Sequence, residues 1–217
     1  MIARVKRRPT RERILDAATE LFQEKGYAAT GMAEILQRAE ANSGSFYHFF
    51  SSKEDVLAAV LDRYEAMLYP VLLDPIWKTT TDPIERIFRL LAKYRELLFV
   101  TKFTYGCPIG RIALEVDASM KPIHRRLAAN FDGWKAAVER CLEEARSKGR
   151  LTAGVDCQRL ACLVLSVMEG GVMQARSYGN ARPFDQSVGE LRRYFASLAV
   201  AAPPLRGRRG KLKKKRS

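Results

Sequence analysis

Apolar residues recur along most of the chain at the spacing of one helical face. Ile14, Leu15, Ala18, Leu21 and Phe22 define a first helix. Thr10 reads as its N-cap and Gly26 as its stop. Met32, Ile35 and Leu36 predict a short helix over about 31–38, with Thr30 before it. Glu40-Ala41-Asn42 reads as a tight break, and Ser43 as the cap of a second short helix ending near Phe49. Ser52-Lys53-Glu54-Asp55 opens a longer helix, because a serine cap and early carboxylates suit the positive end of the helix dipole. Val56, Leu57, Val60, Leu61 and Tyr64 carry that helix to about Tyr69. Pro70 and the segment DPIWKTTTDP read as an interruption.

Further helices are predicted over about 82–102, 108–116, 119–148, 156–177 and 184–199. No stretch sustains the alternation of a strand. The predicted fold class is therefore all-α, with about nine helices.

Two short helices joined by a few turn residues have the shape of a helix-turn-helix. The second of them is SGSFYHFF, residues 43–50. With Phe46 and either Phe49 or Phe50 turned inward, Ser43, Gly44, Ser45, Tyr47 and His48 lie outward or at the N-terminal end. Small residues there allow close approach to a large flat surface. Hydroxyls reach phosphate oxygens and base edges. Lys53 adds a cation where backbone N–H groups already favour an anion. This pattern suits a helix that enters a major groove.

Charge supports a polyanionic partner. The chain has 217 residues and a formal net charge of +14. Eight positive charges lie in RGRRGKLKKKRS, residues 206–217. A run of this kind cannot form a core and reads as a disordered tail, either solubilising or holding nucleic acid without regard to sequence. The leader MIARVKRRPTRER is basic but lacks the apolar stretch of a secretory signal, and no segment has the ~20 apolar residues of a membrane span, so a cytoplasmic protein is expected. Its Arg4, Lys6, Arg7 and Arg8 suit an arm that supplements DNA contact. Cys107, Cys141, Cys157 and Cys162 are too scattered for a metal site, and with only His48 and His124 beside them no metal or cofactor is expected.

From Arg13 to Leu57 the chain closely resembles the DNA-binding domain of the TetR family of bacterial transcriptional regulators. The resemblance rests on RILDAATELFQEKGYAAT, the isoleucine of AEILQRA, and SGSFYHFFSSKEDVL, in order and without gaps. It implies an all-helical homodimer that binds operator DNA and is released by a small-molecule inducer. By position it places Thr30, Ser43, Gly44, Ser45, Tyr47 and Lys53 at DNA, with Tyr47 and Lys53 on phosphates and Ser43, Gly44 and Ser45 against bases; His48 is a further candidate contact from its outward position. Two departures stand out. The family usually has Gly-Val-Ser in the turn, where this chain has Glu40-Ala41-Asn42. Many members place His or Tyr where Phe49 stands, whereas here the histidine comes one residue earlier.

The second half carries YGCPIGRIALEVD, residues 105–117. This resembles a subgroup of the family with a Gly-Cys-Pro/Leu-x-Gly-x-Leu-Ala-x-Glu segment, a tryptophan in the next helix (Trp134) and a later Glu-Gly-Gly (Glu169-Gly170-Gly171). Some members sense electrophiles through this cysteine, and others bind small organic ligands. Cys107 stands at a predicted helix N-terminus, a position that favours thiolate, with Arg111 one turn on. Phe103, Trp134 and Met168 are candidate cavity walls, together with Phe88, Phe99, Tyr105, Met120 and Met173, while Glu115 and Glu169 are candidate polar groups within the cavity.

The resulting organisation is a basic arm over 1–9, a helix-turn-helix domain over 10–55, a ligand-binding and dimerisation domain over 56–200, and a basic tail over 201–217. The helices over 156–177 and 184–199 are the expected dimer surface, since the first is apolar nearly all round. Two other functions compete with a homodimeric repressor. One is a non-specific nucleic-acid binder driven by the tail. The other is an enzyme using Cys107 with His124 as base, which lacks any evident orienting group or phosphate loop.

Overall fold

The computed structural model describes residues 8–200. Ten α-helices follow in order: α1 Thr10–Lys25, α2 Met32–Arg38, α3 Ser43–Phe49, α4 Lys53–Met67, α5 Asp74–Thr79, α6 Pro83–Val100, α7 Pro108–Glu115, α8 Lys121–Ser147, α9 Cys157–Tyr178 and α10 Arg182–Leu198. Among the described residues the only strand-like pairing is an isolated bridge between Leu151 and Ala199. All nine predicted helices are present. Most of the arm and the whole tail lie outside the described residues.

The interruption expected at Pro70 is not a break. The chain continues from α4 through a π-helical segment, Leu68–Leu73, and then into α5. A widened turn removes the tight 13-atom ring in which a proline would collide with the preceding carbonyl. Pro75 lies in the first turn of α5, where its missing N–H has no partner to lose.

Two apolar cores organise the molecule. The first joins Ile14, Leu21 and Phe22 of α1 to Ile35, Phe46 and Phe50, and to Val56, Leu57, Val60 and Leu61 of α4. It also takes in Ile109 and Ile112 of α7 and Ile123 and Leu127 of α8. The expected division at 55/56 therefore does not coincide with a gap in packing. The second core is built from α6, α8, α9 and α10, with Trp134 and Met168 inside it.

The reading head is closed by specific caps. Asn42, rather than Ser43, caps α3: its Oδ1 accepts from the Ser45 N–H at 2.8 Å. Ser52 caps α4, with Oγ accepting from the Asp55 N–H. Each such cap contributes about 1 kcal/mol. Gly26 ends α1 at φ +90°, a backbone conformation disfavoured for side-chain-bearing residues.

Candidate DNA-reading head and effector cavity

The amphipathic pattern of α3 settles which aromatics anchor it. Phe46 and Phe50 are buried, whereas Phe49 is exposed and edge-on to His48. Fully burying one such ring stabilises by about 1.5–3 kcal/mol, so two of them hold a seven-residue helix that would not persist alone. With this face fixed, Ser43, Gly44, Tyr47 and His48 are exposed on one continuous surface, and Tyr47 is 67% exposed. Ser45 is half-buried beside them.

Two predicted DNA contacts are turned inward. Thr30 is buried, and its hydroxyl donates to the carbonyls of Gly26 at 2.7 Å and Leu21 at 3.3 Å. Lys53 is half-buried. Its ammonium donates to the carbonyls of Tyr27 and Thr30, each at 3.0 Å, and lies 4.3 Å from the centre of the Tyr27 ring. Burial pushes the Lys53 pKa below its ordinary value, partly offset by the Glu115 carboxylate. The family resemblance implies DNA contact for both side chains. The 26–30 loop, folding back over the end of α1, takes them instead. Arg8 of the basic arm pairs with Asp16, which also receives Arg63.

A cavity of about 760 Å³ opens between α7 and α9. It brings together four of the seven predicted sensor residues, Cys107, Arg111, Glu115 and Glu169. Phe103, Trp134 and Met168 are not in its wall. Phe103 packs against the second core, and Met168 is buried within that core. Trp134 is 4% exposed and donates its indole N–H to Tyr94 Oη at 3.1 Å. Of the other aromatic and methionine candidates, only Met173 lines the cavity. Gly106, Gly110, Leu114, Phe131 and Arg176 are among the other lining residues and were not foreseen. Spacing gave a signal for part of this: Glu169, Met173 and Arg176 share one face of α9 at steps of four and three.

The chemistry of Cys107 differs from expectation. It is the N-cap residue of α7, but burial pushes its thiol pKa up, and the adjacent Glu169 carboxyl adds to the shift. The amides of Ile109 and Gly110 at the open helix end act in the opposite sense and do not overcome it. The helix end therefore does not draw this thiol toward thiolate as its position alone suggests. Burial also raises the Glu169 pKa, and Glu169 Oε1 is buried without a hydrogen-bond partner. Arg111 and Glu115 are an ion pair at 2.9 Å, engaged with the reading head rather than held free for a ligand. Cys107 adjoins Glu169, whereas His124 has its Nε2 3.1 Å from the Asp117 carbonyl oxygen. The described contacts thus give no support to a Cys107–His124 nucleophile–base pair. All four cysteines are free thiols, and no metal-binding cluster occurs among the described residues. No described helix is long and apolar enough to cross a membrane.

A short reading helix held over a three-helix core, with a larger helical body behind it, defines a helix-turn-helix transcriptional regulator. The chain belongs to the TetR family. Residues 14–60 match the family model for bacterial regulatory proteins of the tetR family, and residues 83–191 match that for the tetracyclin repressor-like C-terminal domain. Among its relatives is YxaF of Bacillus subtilis, an HTH-type transcriptional regulator, 31% identical over 76% of this chain and 83% of that one. The HTH-type transcriptional repressor DhaR of Mycobacterium sp. is 25% identical over 83% of this chain and 89% of its own. A regulatory protein TetR from Rhodobacter sphaeroides superposes with a TM-score of 0.77 at 25% identity, covering 88% of this chain and 99% of that one. The protein is thus a DNA-binding transcriptional regulator of this family.

Proposed function

We propose that two copies of this protein hold a palindromic operator through α3, and that a small organic ligand or an electrophile entering the α7–α9 cavity releases it. The exposed Ser43-Gly44 step lies against bases, with Ser45 beside it, while Tyr47 and His48 reach flanking phosphates. One observation carries this reading: burial of Phe46 and Phe50 leaves those residues on a single open face. A two-fold dimer would set the reading helices about 34–36 Å apart, one turn of DNA.

The second copy pairs through α9 and α10. Leu163, Val167, Leu191 and Tyr194 line an apolar groove along those helices. Gly170 has open space around it, which suits close approach of another helix. Occupancy of the cavity shifts the helices that join body and head, so the separation of the reading helices no longer fits the groove. Such a ligand must bind the two states with different affinity. Two features support the cavity as the effector site: its size, within the usual range of about 300–1,000 Å³ for small-molecule sites, and the unpartnered carboxyl oxygen of Glu169 in its lining. The Gly106-Cys107-Pro108 segment and Glu169 support membership of the cysteine-bearing subgroup, and on this reading the protein acts in the cytoplasm as a regulator and not as an enzyme.

The test is fluorescence anisotropy of the full chain on a duplex from immediately upstream of its gene, beside a scrambled duplex at physiological salt. A preference of roughly a thousandfold supports the reading. Equal affinity for this and every other genomic duplex tried favours the non-specific, tail-driven binder. Truncation before Arg206 then abolishes binding.

A further inference from the structure

Helix α7 lines the cavity along one face, from Cys107 and Gly110 to Leu114 and Glu115, and packs another face into the reading head. At its N-terminal end Cys107 adjoins Glu169 of α9, and Gly110 is so close to that side chain that an added Cβ would lie 2.4 Å from Glu169 Oε2. Its inner face, Ile109 and Ile112, is part of the head's apolar core. Its last turn grips backbone. Arg111 Nη1 donates to the carbonyls of Gln23 at 3.0 Å and Glu24 at 3.4 Å, in the final turn of α1. Those carbonyls lack partners within their own helix, and a guanidinium suits the negative end of its dipole. Glu115 Oε1 accepts from Arg111 Nε at 2.9 Å, and Oε2 accepts from the Ala28 N–H at 3.0 Å.

The same loop is held from its other side. Lys53 of α4 donates to the carbonyls of Tyr27 and Thr30, and its charge is stabilised by Glu115. Glu115 lies so close that a Cβ at Gly26 would be 2.1 Å from its Oε1. The five residues 26–30 thus run between a carboxylate from α7 and an ammonium from α4, and they lead directly into α2 and then α3.

We propose that Arg111 and Glu115 are positioning residues for DNA reading: they clamp the 26–30 loop and pass a displacement of α7 by a cavity occupant to α2 and α3. This rests on the cavity being the effector site, as argued above. An eight-residue helix is about 12 Å long and stiff along its axis, so displacement at Gly110 is carried to the adjacent Arg111 and, little more than a turn on, to Glu115. Movement of α4 alone would leave the Ala28–Glu115 contact in place. Movement of α7 breaks it and removes the carboxylate that steadies Lys53.

The experiment is amide hydrogen exchange by mass spectrometry on the full chain, read in peptides covering 26–31. Glu115→Ala should raise exchange there by at least about tenfold, with Leu21 and the centre of α8 unchanged; Glu115→Gln, which keeps an acceptor for the Ala28 N–H, should recover part of the protection. Gly110→Leu serves as a built-in occupant, with Gly110→Ala as the smaller substitute if leucine abolishes a cooperative melt. It should raise exchange in 26–31, and the double variant with Glu115→Ala should exchange no faster than Glu115→Ala alone. Unchanged exchange in Glu115→Ala, additive effects in the double variant, or a rise spread evenly over the whole head would overturn the proposal. The same variants on operator and scrambled duplexes should lose preference while keeping scrambled-duplex affinity. If the wild type itself shows no preference, the reading as a specific regulator fails, and the exchange results still decide the clamp.

Discussion

Arg13 holds Glu40 in a left-handed backbone conformation. Its Nε donates to the carbonyl of Ala39 and its Nη2 to that of Glu40, each at 2.9 Å, and Glu40 has φ +48°. The turn between α2 and α3 is therefore tied to α1 by one guanidinium. The family's usual glycine at this point adopts such a φ without steric cost, whereas a residue with a Cβ pays about 1–2 kcal/mol. Glu40→Gly should accordingly stabilise the chain, by up to about 1 kcal/mol after the extra chain entropy of glycine is offset. Arg13→Ala should destabilise it by about 1–3 kcal/mol, since charge-assisted hydrogen bonds are lost. Urea titrations of the two variants check both signs. A destabilised Glu40→Gly would show that strain at this turn is not relieved by removing the side chain.

The turn also shows what was legible in the sequence. Helical period and polar breaks located α1 to α4, and the short separation of two short helices identified the helix-turn-helix. They did not identify Asn42 as the cap, because Asn42 and Ser43 are both good caps and the choice depends on φ at Glu40, which Arg13 holds from 27 residues away. The inward turn of Thr30 and Lys53 was hidden for the same reason: their partners lie on the fold-back of the 26–30 loop. In the body, Glu115 and Glu169, carboxylates in otherwise apolar helices, do line the α7–α9 cavity. Trp134 and Met168 do not, since spacing tells which face of a helix is buried but not whether that face meets a cavity or solid core. Helix α5 escaped because Pro70 and Pro75 read as breaks, and only the π-helical turn makes room for the first of them.

The proposed arrangement sets Tyr47 on phosphate and Ser43 against bases. A phosphate contact carries no sequence information, so Tyr47→Phe should weaken specific and scrambled duplexes alike, by about 1 kcal/mol or roughly fivefold. Ser43→Ala should weaken the operator by a similar factor and leave the scrambled duplex unchanged. Anisotropy titrations at fixed salt distinguish the two. Equal loss on both duplexes for Ser43→Ala would move that side chain from bases to backbone.

Glu169 should make both cavity chemistry and stability depend on pH. Its folded pKa is raised by burial from the ordinary 4.5, so the folded state binds a proton more tightly than the unfolded chain. Stability is then lost as pH rises from about 4.5 through the raised value, and the loss is complete above it. Glu169→Gln removes this dependence. Its melting temperature should match the wild type in acid and exceed it increasingly toward neutrality. The same change removes a negative charge beside Cys107, whose thiol is held up by burial and by that carboxyl. Alkylation of Cys107 by iodoacetamide, slow in the wild type at pH 7.5, should therefore speed up by a few-fold. An unchanged alkylation rate would leave burial alone as the cause of the raised thiol.

The adjacent glycines of α9 serve different neighbours. A Cβ at Gly171 would lie 2.9 Å from Phe184 Cδ2 and 3.4 Å from its Cα, and Phe184 is buried where α10 crosses α9. Gly171 therefore permits packing within one protomer. Gly171→Ala should overpack that crossing and cost about 1–3 kcal/mol, read by denaturant unfolding. A Cβ at Gly170 would meet nothing within 4 Å, so Gly170→Leu should leave α9–α10 packing intact. If Gly170 faces a second copy, the leucine weakens the pair. Light scattering over a dilution series should then show dissociation at a higher protein concentration than in the wild type. Destabilisation by Gly171→Ala with an unaltered dimer, and the reverse for Gly170→Leu, would separate the two roles on one turn of one helix. An unaltered dimer in Gly170→Leu would move the pairing surface away from Gly170, leaving the apolar groove of Leu163, Val167 and Tyr194 as its centre.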